Sequence, residues 1–161
     1  MRYLIWNELL EANKFIEECM AIARSATCER SKCGSVIVKD WEIIWIWFNS
    51  PTNGLESQRR CHMEKSSYNK KITDKTCCIH AEQRAIMDAL AKNPNKLKDS
   101  RLYFMRIDDS WNAKNSWEPY CTICSKMSLD VWISEFVLSK KEWICLYETW
   151  EYNDLSYKYN W

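Results

Sequence analysis

His80-Ala81-Glu82-Gln83-Arg84-Ala85-Ile86-Met87-Asp88-Ala89-Leu90-Ala91-Lys92 and, further along, Pro119-Tyr120-Cys121-Thr122-Ile123-Cys124 set one histidine, one glutamate and a C-x-x-C pair into a single chain. Three nitrogen or sulfur ligands leave the fourth corner of a zinc tetrahedron open to water, whereas four protein ligands close the site and make it structural. His80, Cys121 and Cys124 are the candidate metal ligands. Bound zinc lowers the pKa of its water from about 15.7 to about 7, which supplies hydroxide at neutral pH, and a nearby carboxylate then moves protons. Glu82 is the candidate catalytic carboxylate.

Ala81, Ala85, Ile86, Ala89 and Leu90 recur at helical spacing, so residues 80–92 read as an amphipathic helix with His80 and Glu82 in its first turn. Side chains two residues apart point about 200° apart around a helix. The pair can share a target only in the space beyond the helix N-terminus. Cys124 opens a second expected helix that runs to Val131. Helix N-termini and a metal both favour thiolate over thiol. Alone, the H-x-E is explained by chance or capping, and the C-x-x-C by a redox pair or half of a zinc knuckle. Together and in this order they match the H-x-E then P-C-x-x-C pattern of zinc deaminases. A redox role would leave His80 and Glu82 unused.

Working outward, Arg24-Ser25-Ala26-Thr27-Cys28, Cys33-Gly34-Ser35-Val36-Ile37-Val38-Lys39-Asp40, Phe48-Asn49-Ser50-Pro51 and His80 to Ile86 resemble the corresponding stretches of deoxycytidylate deaminases, within the zinc-dependent cytidine/deoxycytidylate deaminase superfamily. The resemblance covers roughly residues 1–138. It implies an α/β, three-layer fold with a mixed sheet of about five strands flanked by helices, and hydrolysis of the 4-amino group of dCMP to give dUMP and ammonia. By the same likeness Asn49 contacts the substrate sugar, Glu82 protonates ring N3 and then the leaving amine, and the enzyme is a homo-oligomer. Two features depart from that pattern: Tyr120 stands between the proline and the first cysteine, and Arg106 to Glu118 is longer than usual. After residue 138, Glu135 to Leu138 and Ile144 to Tyr147 read as a hairpin, and an antiparallel last strand resembles the free-nucleoside cytidine deaminases more than the nucleotide branch.

Glycine is 2 of 161 residues while tryptophan is 10, against an average glycine usage of about 7%. Trp41 follows Lys39-Asp40 between two apolar runs, where Asp-Gly is the ordinary tight-turn signal and a bulky residue resists positive φ. Trp45 and Trp47 stand where the family often has small residues. Trp117, Trp132, Trp143 and Trp150 fall at loop or helix-end positions that also suit glycine. This pattern is expected of a gene that uses UGA for glycine, as some bacterial lineages do. Trp6 is set apart, because the family has its own aromatic there. The competing reading is a set of genuine core tryptophans, whose crowding near the sheet costs stability through overpacking.

The length suits one domain, residues 1–161, with a single core. A formal charge of +1, from 23 basic and 22 acidic residues, gives no general pull toward nucleic acid. No stretch reads as a signal peptide or membrane span, since Leu9-Leu10 and Ile43 to Phe48 are too short. Nine cysteines in such a chain suggest metal sites and buried thiols in a reducing cytoplasm rather than disulfides.

Expected elements are a helix from Asn7, as cap, to Arg24, strands at Ser35 to Val38 and Ile43 to Phe48, an irregular stretch from Asn49 to Lys75, and a strand at Leu102 to Ile107. Cys28, Cys61, Cys77 and Cys78 flank polar loops leading to the His80 helix. Some deoxycytidylate deaminases carry an extra structural zinc near equivalent places, so Cys28, Cys61 and Cys77 or Cys78, with His62 as a fourth ligand, are candidates for a second, closed site; idle thiols are the alternative. Cys19, Cys33 and Cys145 read as core. Arg59, Arg60, Lys65, Lys70, Lys71 and Lys75 make the long segment either a lid that gathers a 5′-phosphate or a solvated loop. Of Tyr103 and Phe104, one is expected in the core, while Tyr120 is placed to stack on a base. The favoured activity is zinc-dependent deamination of a free cytosine nucleotide or nucleoside, dCMP first. A deaminase of bases in single-stranded nucleic acid or tRNA, which calls for a basic, aromatic groove, and a catalytically inactive zinc module, which has no need of Glu82, are the rivals.

Overall fold

The structure is a computed structural model and describes residues 1–72, 74–115 and 118–159. Trp117 lies outside the described residues. In chain order the elements are β1 (Arg2–Tyr3), α1 (Trp6–Ala23), β2 (Lys32–Lys39), β3 (Glu42–Phe48), β4 (Ser50–Pro51), β5 (Cys78–Ile79), α2 (Ala81–Lys92), β6 (Arg101–Ile107), β7 (Ala113–Lys114), α3 (Thr122–Asp130), β8 (Glu135–Ser139), β9 (Ile144–Glu148) and α4 (Thr149–Tyr157). The main sheet runs β1-β9-β8-β6-β2-β3, with β7 added to the end of β6. Its five long strands are the ones the mixed-sheet expectation requires, and β1 and β7 are two-residue additions.

All pairings in this sheet are antiparallel except β6 with β8. The expected terminal hairpin is present, with Leu138 opposite Cys145 and Ser139 opposite Ile144. Helix α1 covers one face through Ala12, Phe15, Ile16 and Cys19, against Val36, Val38, Tyr103, Met105 and Leu146. The other face carries α2, whose Ala81, Ala85, Ile86 and Ala89 pack on Ile37, Leu102, Phe104 and Phe136. Alternation along β6 therefore buries both Tyr103 and Phe104, on opposite faces, because a sheet covered twice has no solvent side. The expectation that one of the two is core is too narrow.

Three further expectations are corrected. Helix α1 is capped by Ile5 with no side-chain hydrogen bond, not by Asn7. Leu90 of α2 is exposed, since the stripe of α2 that meets the sheet is the narrow alanine row. Trp41, Trp132, Trp143 and Trp150 are all exposed, so none is a core tryptophan, while Trp45 and Trp47 sit half-buried between β3 and α2. Trp6, set apart in sequence, shares a left-handed backbone with Trp41 and Trp132. Cys19, Cys33 and Cys145 are buried, as expected. No helix among the described residues is long and apolar enough to cross a membrane.

Gly34 is where α1 comes closest to the sheet. A Cβ there would collide with the Cys19 carbonyl oxygen and stand 2.7 Å from Ile22 Cγ2. The neighbour is helix backbone, which has little room to yield. Gly34→Ala is expected to destabilise the protein by about 1–3 kcal/mol, as overpacking does, read as a lowered urea midpoint with an unchanged m-value.

Candidate functional site

The site lies where α2 and α3 begin. His80 is the N-cap of α2, in extended backbone, and its N–H donates to Gln83 Oε1 at 3.1 Å, one arm of a capping box. Glu82 follows as the second helical residue, almost wholly buried at 4% exposure. Cys121 is the N-cap of α3, and its Sγ accepts from the Cys124 N–H at 3.4 Å. The sequence expectation that Cys124 opens this helix is corrected: Thr122 begins it and Cys124 stands one turn inside. A C-x-x-C pair needs this, because the capping sulfur and the third helical residue then face the same space.

His80 Nδ1 stands 3.4 Å from Cys121 Sγ and 3.3 Å from Cys124 Sγ, and the two sulfurs are 3.1 Å apart. Zinc–sulfur bonds of about 2.3 Å and zinc–nitrogen bonds of about 2.0–2.1 Å put tetrahedral donors about 3.5–3.8 Å apart. A slight widening of this triangle seats the ion, and the donor set fits zinc. Hydrogen bonding from Cys124, with His80 beside it, pulls the Cys121 thiol down to about 4, so it is a thiolate at neutral pH. Burial opposes a charged His80, yet the bond to Cys121 and the nearby Glu82 outweigh it and raise the imidazole to about 9. Burial also pushes Glu82 up to about 7, against the pull of His80.

A cavity of about 520 Å³ opens from His80 and Glu82. Phe104, Tyr120 and Tyr159 give it aromatic surface, and the two tyrosine rings lie 6.0 Å apart. Asn49 also lines it, buried, with Oδ1 accepting from the Cys33 N–H at 2.8 Å and Nδ2 donating to the Ser31 carbonyl at 2.7 Å. Its amide thus pins the start of β2 to the end of β3. Arg84 donates to the Ser50 and Pro51 carbonyls at 3.2 and 2.8 Å and fixes α2 to that same corner.

Six cationic side chains line the cavity: Arg30, Arg60, Lys65, Lys75, Arg106 and Lys114; Glu82 is the only carboxylate among its described lining residues. Arg60, Lys65 and Lys75 belong to the lysine-rich segment singled out in the sequence. Arg59 is instead tied to Glu56, and Lys70 and Lys71 do not line the cavity. Arg30, Arg106 and Lys114 were not foreseen. Arg106 has a signal in hindsight, since it continues the Leu102, Phe104 alternation of β6 onto the face that α2 covers.

The remaining cysteines also gather. Cys61 Sγ lies 3.9 Å from Cys28, 3.2 Å from Cys77 and 3.7 Å from Cys78. Cys28, Cys61 and Cys78 form a second buried group able to hold a metal ion, with Cys77 the adjacent fourth sulfur. His62, the expected fourth ligand, is exposed and is not part of this group, whereas Cys77 Sγ stands 3.2 Å from Cys61 Sγ.

Residues 10–140 match the family model of the cytidine and deoxycytidylate deaminase zinc-binding region. The chain belongs to this family. It is a zinc-dependent deaminase with the family's three-layer α/β fold. Among solved structures it is similar to the dCMP deaminase of the cyanophage S-TIM5 in complex with dCMP and dUMP, at 22% identity over 83% of this chain and 82% of that one, with a TM-score of 0.55. It is also similar to a cytidine deaminase from Burkholderia pseudomallei, at 16% identity over 87% and 94%, with a TM-score of 0.57. No curated protein sequence matches this deaminase.

With two donor clusters present, we propose that the purified deaminase carries close to two zinc ions per chain. Elemental analysis is expected to fall to about one ion in Cys121→Ser and, separately, in Cys61→Ser. A wild-type content near one, unchanged by Cys61→Ser, would remove the second site.

Proposed function

We propose that this deaminase acts on a free cytosine nucleotide, dCMP first, converting it with water to dUMP and ammonia. The observation that carries this is the charge of the cavity: six cations and one carboxylate, Glu82, gathered around a space that opens onto His80. A neutral nucleoside has no use for that excess, whereas a 5′-phosphate does. Arg106 is the leading candidate for phosphate contact. It lies on the strand beside Lys114, its Nη2 donates to the Asn115 carbonyl at 2.9 Å, and its buried Nε has no hydrogen-bond partner.

His80, Cys121 and Cys124 would hold the zinc, which when bound supplies a water acidic enough to ionise near neutral pH. Glu82 does the proton work. It takes a proton from the attacking water and gives it to ring N3 as the C4–O bond forms. It then takes the proton of the new C4 hydroxyl and delivers it to the 4-amino nitrogen, so that the C4–N bond breaks, ammonia leaves and the C4 oxygen becomes the carbonyl. A carboxyl held near 7 by burial gives and takes protons at little cost at neutral pH. Tyr120 and Phe104 offer faces for the pyrimidine, and Asn49, with its amide engaged by backbone, is the candidate for the sugar.

The second reading is a free nucleoside, cytidine or deoxycytidine. The antiparallel β8–β9 hairpin favours it through its resemblance to that branch. Bases within single-stranded nucleic acid or tRNA fit less well, because the net charge is only +1 and the cations line one cavity rather than a long groove. Homo-oligomer formation rests on the family likeness.

Ammonia release from dCMP, CMP, deoxycytidine, cytidine and a single-stranded oligonucleotide separates these readings. Turnover is expected with dCMP, and deoxycytidine should be at least tenfold poorer in kcat/KM. Equal turnover of deoxycytidine would overturn the nucleotide assignment, and product from the oligonucleotide alone would move it to nucleic acid. Glu82→Gln should lower kcat by about 10²–10⁴-fold with zinc retained. Arg106→Met should raise KM for dCMP about tenfold or more, the loss of one charged hydrogen bond, and leave deoxycytidine unaffected.

A further inference from the structure

Among the described residues, seven that are not glycine have left-handed φ: Trp6, Asp40, Trp41, Asn53, Asp99, Trp111 and Trp132. Asp and Asn enter this region readily, because a short polar side chain bonds locally. A bulky aromatic does not, and at φ > 0 it is an outlier. Yet four of the seven are tryptophan. Three of these stand at positions that turn geometry reserves for glycine, each in a different kind of turn.

Trp41, at φ 66, follows Asp40, at φ 50, in the two-residue loop between β2 and β3, with Lys39 paired to Glu42. Positive φ at both central residues marks the hairpin turn whose sequence is Asn-Gly or Asp-Gly. Trp132, at φ 62, follows α3. Its N–H donates to the Leu129 carbonyl at 3.0 Å and the Ile133 N–H to the Ser128 carbonyl at 3.0 Å. That bond pair is the Schellman helix end, which takes glycine at the left-handed residue. Trp111, at φ 66, ends the three-residue loop that Asp108 and Asn112 close in the connection from β6 to β7. Its N–H donates to the Asp108 carbonyl at 3.1 Å, and the Asp108 N–H to the Asn112 carbonyl at 2.9 Å. Three-residue hairpin loops place glycine at this left-handed position.

None of the three indoles is held by the core: they are 56%, 43% and 70% exposed for Trp41, Trp111 and Trp132. Lys32 Nζ lies 4.5 Å from the centroid of the Trp111 ring and Arg101 Cζ 5.9 Å from that of Trp41. Exposed cation–π pairs are worth about 0.5–1 kcal/mol each, so packing gives only a weak reason for tryptophan at these turns. Gly54, the one described glycine with positive φ, sits at +67 as ordinary glycine does. Trp45 adds a separate sign, an indole N–H buried without an acceptor. A single cause covers the shortage of glycine, the surplus of tryptophan and the backbone at all three turns.

We infer that the polypeptide made in its own cell carries glycine at positions 41, 111 and 132, its gene having UGA codons there that are read as glycine. The glycine form relaxes the end of α3, the helix that carries Cys121 and Cys124, and closes both hairpins without strain.

The decisive measurement is peptide mass spectrometry of the protein isolated from its own cells, set beside the codons of its gene. Glycine at all three positions with UGA codons is expected. UGG codons, or tryptophan in those peptides even where the codon is UGA, would overturn the inference. A recombinant series checks the backbone argument independently. Trp132→Gly should melt roughly 2–4 °C above Trp132→Ala, because alanine keeps the left-handed penalty of about 1 kcal/mol. Equal melting of the two would show that this turn makes no demand for glycine.

Discussion

The site depends on two helix N-termini meeting over the same sheet face. His80 caps α2 and Cys121 caps α3, so two of the three candidate metal ligands are also the residues that end the extended chain and begin a helix. Such a position has free backbone N–H groups and the positive end of a helix dipole. Both favour a sulfur in its anionic form, and the Cys124 N–H bond to Cys121 shows the effect directly. The parallel pairing of β6 with β8 makes the approach obligatory. A parallel connection cannot close with a tight turn and must cross over, and α3 is that crossover, laid beside α2.

Sheet geometry sets how close the helices come. Ala81, Ala85 and Ala89 form the row of α2 that faces the strands, and their small side chains let the helix lie near Ile37 and Phe104. On the opposite face Gly34 does the same for α1, by having no Cβ to meet the Cys19 carbonyl. Burial of Glu82 follows from this closeness. A carboxyl so enclosed loses water that would stabilise its charge, and its rise to about 7 is a consequence of the packing rather than of any one neighbour.

Much of this was legible in the sequence because it is local. The H-x-E and C-x-x-C spacings, the alanine-rich period of residues 80–92 and the alternation in β6 each lie within a dozen residues. Features set by the partner surface were not. Whether Cys121 or Cys124 caps α3 depends on where the loop from β7 turns. The burial of both Tyr103 and Phe104 depends on the sheet being covered twice, and Arg30, Arg106 and Lys114 converge on one cavity from β6, β7 and the loop before β2. Trp111 concealed the β6–β7 turn, because sequence reading finds such turns by their glycines, whereas the β2–β3 turn and the end of α3 were legible from the strands and helix that flank Trp41 and Trp132.

The cysteine cluster and the cationic wall form one construction. The described residues between 52 and 77 contain only short helical turns and bury little apolar surface, so they cannot hold a shape by packing alone. Arg30 donates to the Cys61 carbonyl at 3.2 and 2.9 Å and to the Met63 carbonyl at 2.7 Å, while Arg60 reaches the Asp74 and Thr76 carbonyls at 3.1 and 3.2 Å. Arg60 stitches the loop to itself and Arg30 ties it to the chain before β2, both beside Cys61, whose sulfur is the hub of the cluster. Closing a long loop has an entropic cost that grows slowly with length. A cross-link at the loop's base therefore orders many residues at once. Because the same arginines line the cavity, whatever fixes the four sulfurs also fixes the positive charge of its wall.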